Sequence, residues 1–545
     1  MGVYLNPGYG RFEEELNSQI YVDKTELILY TNSVLKTSQK YLSISRPRRF
    51  GKSYAADMLC AYYGRPDSRE LFSGYKLSEH DGWDKYLGKY DVIRLVMTDF
   101  FKSEADVDTA IKKICRRILA DLKKDYPKAE YDEDDLFYSM ELLSRENDIA
   151  FVIIIDEWDA IFRERRNDSK GQEKYLNFLR DWLKGRDYIA LAYMTGILPI
   201  KKYGKHSALN MFDEYSIIAP MQLARYTGFT EEEVNGLCNK YGRDPDGIKD
   251  WYDGYDVSDV IPPDPNHRVQ TETGREIPAR HYSIYSPLSV VKAITTGYIQ
   301  NYWNKTETYE ALAEYIRMNL DGLKDAVALM MDGGSVKADI STYQNDMTTF
   351  LCRDDILALL IHLGYLKYDL EKGEVSIPNK EILDEFKAST KSDEWINTFR
   401  SFKTSLRLLN AIWASDSDTV AEIMELAHDR AGNRTYNNEA ALSYGIQYAM
   451  YAAQKYYTTI QELDTGKGFA DLVYLPSPKY PDKPALLMEL KYNKNVETAA
   501  EQIRRRNYPQ VLEHYKGNLL IVSINYDKDV RGSDFKRHSC KIERA

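Results

Sequence analysis

The segment SRPRRFGKS, at positions 45–53, has the residue types of a phosphate-binding loop. Its end, Gly51-Lys52-Ser53, matches the close of the pattern G-x-x-x-x-G-K-[ST], while Arg46 stands where that pattern begins with glycine. In such a loop, backbone N–H groups at a helix N-terminus surround phosphate oxygens. The lysine reaches the outer phosphates, and the hydroxyl binds Mg²⁺. A lone GKS also fits a surface turn, so a second element has to support the interpretation.

That second element is an apolar run, IAFVIIIDEWD at 149–159, which ends in acids. In ATPases of the additional-strand class, an acid pair at such a strand end supplies a Mg²⁺ ligand, here Asp156, and a water-activating base, here Glu157. An ordinary buried strand with a polar end is the alternative. Thr195 ends the next predicted strand, where it is either a sensor of the γ-phosphate or a turn-forming residue before glycine.

A second set of charged residues lies near the C-terminus. Asp471 is in FADLVYL, and Glu489 and Lys491 are in ALLMELKY. If these strands pair around the Pro-rich turn, alternation places Glu489 and Lys491 on one face, with Asp471 across the hairpin. Two carboxylates and a lysine form a hard-cation site beside a phosphate, the D…(D/E)-x-K arrangement of Mg²⁺-dependent nucleases. The alternative is solvated charge on an edge strand.

Two flanking polar residues are candidates for the same C-terminal site. Glu439, on a preceding predicted helix, can add a carboxylate, and Gln502 begins a following helix. That helix continues with three arginines at 504–506, which either meet phosphates or form a solvated basic face.

The elements around the first site alternate. Strands are predicted at 41–45, 90–98, 149–159 and 188–194, with helices at 54–63 and 111–126. Continuous β-branched runs are typical of strands covered on both faces, so we predict a doubly wound α/β domain with a parallel sheet over residues 1–225.

The rest of the chain predicts two further regions. Residues 226–390 contain an N-capped helix at 228–238, an exposed insertion at 258–280, and a helix closed by Gly364 before two short strands, which is winged-helix-like. Residues 391–545 contain long helices over 395–460, then strands at 469–475, 485–492 and 518–526, with a helix around 496–506. This last region is a compact α/β unit.

Composition limits the class of protein. The chain has 545 residues, of which 43% are hydrophobic and 29% charged, as in globular proteins. Its longest apolar run, 149–155, is far shorter than the roughly 20 residues of a membrane span. No export signal begins the sequence, and five scattered cysteines indicate reduced thiols, so we expect a cytoplasmic protein without a membrane partner. The net charge of −11 disfavours a simple polyanion binder, although positions 36–52 hold six basic residues and no acid.

An ordered set of short motifs spans nearly the whole chain and resembles the bacterial AAA-ATPase-like proteins fused to a C-terminal PD-(D/E)XK nuclease domain. The motifs are YVDKTELI (21–28), SISRPRRFGKS (43–53), IIIDEWDA (153–160), MTGILPIKKYG (194–204), SALNMFDEYS (207–216), WYDGY (251–255), YSPLSV (285–290), LGYLKYD (363–369), IPNKEI (377–382), DLVYL (471–475), MELKY (488–492) and EQIRRRNY (501–508).

The resemblance implies an α/β multidomain protein with a P-loop ATPase domain, the middle region, and a restriction-endonuclease-like α/β domain at 391–545. Carried over residue by residue, it implies ATP binding by Arg46, Pro47, Arg48, Arg49, Phe50, Gly51, Lys52, Ser53, Asp156 and Thr195, with Ser53 and Asp156 on Mg²⁺ and Glu157 as base. It also implies a nuclease centre of Asp471, Glu489 and Lys491, with Glu439 and Gln502 as accessories. Pro199 stands in GILPIKK, so no arginine there can act as a finger.

These observations favour an ATP-binding, ATP-hydrolysing protein whose C-terminal domain cleaves DNA or RNA with Mg²⁺. The alternative is a nucleotide-switched binding module for nucleic acid or protein, with an inactive nuclease fold, acting in defence against mobile elements. ATPases of this class often complete their site between subunits, which leaves a homo-oligomer open.

Overall fold

The computed structural model describes residues 2–200, 208–258, 281–303, 309–344, 347–390, 404–431, 446, 449–450, 452–453, 456–464, 469–478, 480–492, 512, 515, 517–527, 529–530 and 536–544. The chain divides into two compact units, Met1–Ser389 and Thr390–Ala545. The division into three domains at 225 and 390 stays a prediction. Residues 226–389 lie in the same compact unit as residues 1–225.

The strands and helices of the first unit are numbered here in the order in which they occur along the chain. Its strands are β1 (Tyr41–Ser45), β2 (Asp91–Val96), β3 (Phe151–Asp156), β4 (Ile189–Gly196), β5 (Asp213–Tyr215), β6 (Phe229–Thr230), β7 (Tyr255–Ser258), β8 (His281–Tyr285), β9 (Val336–Lys337), β10 (Lys367–Asp369) and β11 (Glu374–Ser376). Its helices are α1 (Gly10–Leu16), α2 (Leu27–Val34), α3 (Lys52–Tyr63), α4 (Arg69–Phe72), α5 (Thr98–Phe101), α6 (Val107–Asp125), α7 (Leu136–Asn147), α8 (Ala160–Glu164), α9 (Ser169–Leu183), α10 (Glu231–Tyr241), α11 (Pro245–Tyr252), α12 (Pro287–Thr296), α13 (Tyr309–Arg317), α14 (Leu323–Met331), α15 (Arg353–Leu363) and α16 (Lys380–Ser389).

The first five strands form one parallel sheet in the order β2-β3-β4-β1-β5. Every residue of β1, β3 and β4 is buried, which confirms the prediction from their apolar runs. Strand β4 lies between β1 and β3, so the strand before the loop and the strand before the acids are separated by one position. Because all strands run the same way, both polar segments emerge at one edge of the sheet.

Helices cover this sheet and fix the loop helix against it. Leu42 and Ile44 of β1 and Val152 and Ile154 of β3 share a buried cluster with Leu59 and the rings of α3. α1 and α2 contribute Phe12, Leu27 and Ile28 to the same cluster. The helix that follows the phosphate loop is therefore anchored through its apolar side, while its first residues stay at the carboxyl edge of the sheet.

The later part of the first unit has the predicted helix and hairpin. α15 ends at Gly364, whose φ of +89° is the left-handed conformation that glycine adopts readily at a helix end. β10 and β11 then pair antiparallel, and β9 adds a third strand that the sequence did not indicate. The N-capped helix is α10, with a capping box between Thr230 and Glu233. The insertion predicted at 258–280 lies outside the described residues from 259 onward.

The second unit is a mixed five-stranded sheet. Its strands are β12 (Tyr457–Asp464), β13 (Phe469–Pro476), β14 (Ala485–Tyr492), β15 (Leu519–Tyr526) and β16 (His538–Arg544), in that order across the sheet, and α17 covers Ser417–Ala431. β14 and β15 are parallel and the other neighbours antiparallel. A further stretch, 404–413, is helical.

One expectation for this unit is wrong at its C-terminal end, although residues 404–413 and α17 are helical as predicted. Helices were predicted over 395–460, yet the segment from Tyr457 is strand, where the β-branched run Thr458, Thr459 and Ile460 pairs with β13. The helix predicted around 496–506 lies outside the described residues.

Within the described ranges, no helix combines the length and apolarity needed to span a membrane. The five cysteines are free thiols.

Candidate functional site

The phosphate-type loop connects β1 to α3 in a strained, closed form. Gly51 has a φ of +82° and Arg49 a φ of +68°, so two left-handed residues turn the chain into the helix. The Lys52 ammonium donates to the carbonyls of Arg46 and Pro47, at 2.9 and 2.7 Å, and so bridges the loop. Burial lowers the pKa of Lys52 to about 8, against the opposing pull of the Asp156 carboxylate.

Arg46, in the position of the usual first glycine, points inward. Its side chain is 1% exposed and donates to the carbonyls of Ser45 and Tyr215, both at 2.8 Å. Burial lowers the pKa of Arg46 to about 9. The guanidinium therefore joins β1 to β5 beneath the loop. Its backbone is engaged as well, because the Arg46 N–H donates to the Gly196 carbonyl at 3.1 Å and its carbonyl accepts from Lys52.

The outer side of the loop packs on the later part of the same unit. Phe50 is fully buried and stacks edge-on against Tyr255, with ring centroids 5.2 Å apart. Arg49 donates to the Trp303 carbonyl at 3.2 Å. Arg48 and Ser53 are exposed at the mouth of the loop. The predicted loop residues thus divide into an inner anchor, an outer packing contact and an accessible end.

The Asp156 carboxylate is oriented by two donors at the end of β3. Its Oδ1 accepts from the Thr195 hydroxyl at 2.5 Å and from the Glu157 amide at 3.0 Å. The other oxygen, Oδ2, lies 3.7 Å from the Arg94 guanidinium. Thr195 and Asp156, which the sequence placed on neighbouring strand ends, are therefore in direct contact.

Glu157 is held by two side chains that the sequence analysis missed. Its φ of +52° turns it out of the strand, and 38% of its side chain is exposed. The carboxylate accepts from the Thr98 hydroxyl and, at 3.2 Å, from Arg163. Thr98 lies two residues after the end of β2, and its place near the carboxyl edge of the sheet could have been predicted from the sequence. Arg163 lies on α8, and nothing in the local sequence pattern indicated that it would contact Glu157.

A buried ion pair lies behind Asp156, and it too was missed. Arg94, on β2, donates to Asp57 of α3 at 2.8 Å, and their side chains are 5% and 9% exposed. Glu15 of α1 lies beyond Asp57. Burial first, and the Asp57 charge second, raise the pKa of Glu15 to about 9. A charged residue inside the apolar run of β2 was the only sequence signal.

The edge of the sheet has the donor set of a magnesium–nucleotide site. A buried lysine and an exposed hydroxyl lie at the start of α3, which follows β1. An oriented carboxylate, with one oxygen turned from its donors, lies at the end of β3 at the same edge of the sheet. Lys52, Ser53, Asp156 and Thr195 are the residues that fit phosphate oxygens and a hard divalent cation.

The second candidate site lies on β14 in the other unit. The Lys491 ammonium donates to Glu489 Oε1 at 2.7 Å, and the two side chains are 12% and 2% exposed. Leu472 pairs with Met488, which places Asp471 and Glu489 next along the antiparallel register of β13 and β14. The same face of β14 carries Leu487, packed in a cluster with Leu512. The acid and lysine thus share a face, as predicted.

The remaining predicted residues of this site are outside the description. Glu439, Gln502 and the arginines at 504–506 lie in undescribed segments, as does the side chain of Asp471. Among the described residues, no group of three or more His, Cys, Asp or Glu side chains is arranged to hold a metal.

Two protein-family models match the parts of the chain that contain the two candidate sites. Residues 9–204 match the AAA-ATPase-like family model, which is described as a predicted AAA-ATPase. Residues 442–533 match a model of the PD-(D/E)XK nuclease superfamily. The chain combines an AAA-ATPase-like domain with a PD-(D/E)XK nuclease superfamily domain. The first match contains Lys52, Asp156 and Glu157, and the second contains Glu489 and Lys491.

The chain is similar to a protein of Azotobacter chroococcum mcd 1, an uncharacterized protein in the vnfD 5′ region. It is 26% identical over 246 residues, which are 43% of this chain and 45% of that protein. The match thus spans less than half of either protein.

Solved structures similar to the chain include Cdc6p from Pyrobaculum aerophilum, 12% identical, with a TM-score of 0.24 over 70% of this chain and 97% of that one. Another is the Aeropyrum pernix ORC1 protein in complex with DNA, 13% identical, with a TM-score of 0.25 over 69% and 94%. The strand order and the family matches, rather than these low scores, carry the assignment of the AAA-ATPase-like domain.

Proposed function

We propose that the AAA-ATPase-like domain binds and hydrolyses ATP with Mg²⁺, and that the nuclease-like domain cleaves phosphodiester bonds of DNA or RNA with Mg²⁺. The observation that carries the first half is the cluster of Lys52, Asp156 and Thr195 at one edge of the parallel sheet. The buried pair of Glu489 and Lys491 carries the second half.

In the ATP site, each residue has a task that its position supports. Lys52 exchanges its two loop carbonyls for phosphate oxygens, and loop amides at the N-terminus of α3 add donors. Ser53 and Asp156 hold the cation, which when bound neutralises charge on the phosphates. Glu157 orients the attacking water and accepts its proton, after it leaves Thr98 and Arg163.

In the nuclease site, the burial of Glu489 supports a role beyond solvated charge. A carboxylate that is 2% exposed is stable there only with a charged partner, and Lys491 supplies it at 2.7 Å. Asp471 and Glu489 would hold the cation, with Glu439 as a further ligand. Lys491 would stabilise charge on the scissile phosphate, with Gln502 positioned beside it.

The ATP half is tested by nucleotide binding and turnover of the full chain. Glu157→Gln keeps the shape of the side chain but removes the base, so we expect unchanged ATP affinity and turnover reduced by about a hundredfold or more. Lys52→Met is expected to abolish binding. Turnover in Glu157→Gln equal to the wild type would overturn the role of Glu157.

The nuclease half is tested by incubating the chain with plasmid DNA, single-stranded DNA and RNA, with Mg²⁺ or Mn²⁺, with and without ATP. We expect metal-dependent cleavage that Asp471→Asn and Glu489→Gln abolish without changing ATP turnover. Asp482→Asn, in the exposed turn before β14, is the matched control and should cleave normally. Cleavage that persists in both site variants would place the centre elsewhere.

The binding-module alternative is an outcome of the same assay. Binding of nucleic acid without cleavage under every metal condition would favour it. Cytoplasmic location and self-association also stay proposals, tested by fractionation and by light scattering with and without ATP.

A further inference from the structure

A row of buried charges runs from α3 to the magnesium-type carboxylate at the end of β3. Asp57, Arg94 and Asp156 are all at most 9% exposed in their side chains. Asp57 lies four residues after Ser53, which is one helical turn further along α3. The row therefore connects the helix that follows the loop with the strand that carries Asp156.

The guanidinium is shared unequally between the two acids. Arg94 Nη2 donates to Asp57 at 2.8 Å but stands 3.7 Å from Asp156 Oδ2, beyond hydrogen-bond range. The backbone of Arg94 is fixed as well, because its N–H donates to the Tyr4 carbonyl at 2.9 Å. Of the two carboxylates, only that of Asp57 is within hydrogen-bond range of Arg94 Nη2.

We propose that Asp57 is a positioning residue for the nucleotide site: it holds the Arg94 guanidinium away from Asp156, and so keeps Asp156 Oδ2 available to Mg²⁺. This inference rests on the proposed ATP function and deepens it.

The physical reason is competition for one carboxylate. A guanidinium and a carboxylate form strong, charge-assisted hydrogen bonds, and these strengthen away from water. With Asp57 neutralised, the attraction between Arg94 and Asp57 weakens and Asp156 becomes the stronger acceptor. Both oxygens of Asp156 would then carry donors, Thr195 and Glu157 on one and Arg94 on the other. The cation would have to displace the guanidinium before binding.

The test is a Mg²⁺ titration of ATP-analogue binding by the full chain, with binding in EDTA as the reference. We expect Asp57→Asn to raise the Mg²⁺ concentration for half-maximal binding by about tenfold, the scale of one hydrogen bond to a charged group. Affinity in EDTA should stay as in the wild type. In Asp57→Asn/Arg94→Met, which removes the competing cation, the half-point should return to within about threefold of the wild type.

Asp91→Asn is the matched control, because Asp91 is also a buried carboxylate of this unit, at the opposite end of β2. Its Mg²⁺ half-point should equal that of the wild type. A half-point unchanged in Asp57→Asn would overturn the inference while leaving the ATP function in place. If Asp57→Asn does not fold, a raised half-point in the double variant would overturn it equally. Absence of Mg²⁺-dependent binding in the wild type would overturn both.

Discussion

The contacts of Glu157 predict that this residue, which we propose as the base of ATP hydrolysis, is restrained before turnover. The carboxylate accepts from the Thr98 hydroxyl and from Arg163, and Arg163 also lies 3.3 Å from Thr98, so the three side chains form one cluster. To reach a water beside the phosphate, Glu157 has to leave this cluster. Thr98→Val removes one of its donors with little change in shape.

The size of the effect follows from exposure. A hydrogen bond to a charged group contributes about 1.5–3 kcal/mol when buried. With 38% of the Glu157 side chain exposed, water replaces part of it, so we take about 1 kcal/mol. That corresponds to about a fivefold larger population of released Glu157. We expect kcat for ATP to rise by up to this factor, with KM unchanged because Lys52 and Asp156 are untouched.

The assay is steady-state phosphate release at saturating ATP and Mg²⁺. Thr109→Val is the control, since Thr109 also donates its hydroxyl to a carboxylate, that of Asp106, in an exposed contact at the start of α6. Its kcat should equal that of the wild type. A Thr98→Val enzyme with normal ATP affinity but an unchanged or lower kcat would refute the restraint.

Three further predictions concern burial and backbone strain. Burial raises the pKa of Glu381 from its usual 4.5 to about 7, so the folded chain binds that proton more tightly than the unfolded chain and loses up to about 3 kcal/mol of stability as pH rises between those values. The Glu381→Gln variant should lose less unfolding free energy than the wild type between pH 5 and pH 8, as measured by urea unfolding. An equal loss in the two proteins would contradict this prediction. Lys491→Met leaves the buried Glu489 carboxylate without its ammonium partner, and should lower the unfolding free energy of the second unit by about 3–5 kcal/mol. Glu489→Gln/Lys491→Met should recover most of it, and equal loss in both variants would contradict the pairing. Gly51→Ala meets no atom within 4 Å but has a φ of +82°, so about 1–2 kcal/mol of strain should weaken ATP-analogue binding. Gly185 also has a positive φ, +69°, and no atom within 4 Å of an added Cβ, so Gly185→Ala is the control. It should lower the melting temperature as much as Gly51→Ala does, but bind the ATP analogue normally.

The sequence predicted the parallel sheet because its strands are continuous apolar runs that need cover on both faces. The predicted bounds of β1, β3 and β4 lie within three residues of the bounds in the structure. The three-residue β5 was too short to show periodicity, and the first four residues of β12 were assigned to a helix because they follow a long helical pattern.

The candidate ATP site was predicted only as far as local motifs reach. Lys52, Asp156 and Thr195 stand in recognisable segments, and parallel strand ends bring them together. Arg94, Asp57 and Arg163 act through contacts between elements far apart in the chain, which no local spacing encodes. The inward turn of Arg46 was equally invisible, because it depends on the Tyr215 carbonyl of β5.

The central claim is that one polypeptide holds two separate cation sites, one for a triphosphate and one for a nucleic-acid strand. The most direct measurement is a crystal structure of the full chain with a non-hydrolysable ATP analogue and Mn²⁺, using the anomalous signal of the metal. We expect one anomalous peak between Ser53, Asp156 and the phosphates, and a second beside Asp471 and Glu489. A map with no peak at Glu489, or with the analogue bound away from Lys52, would refute the two-site proposal.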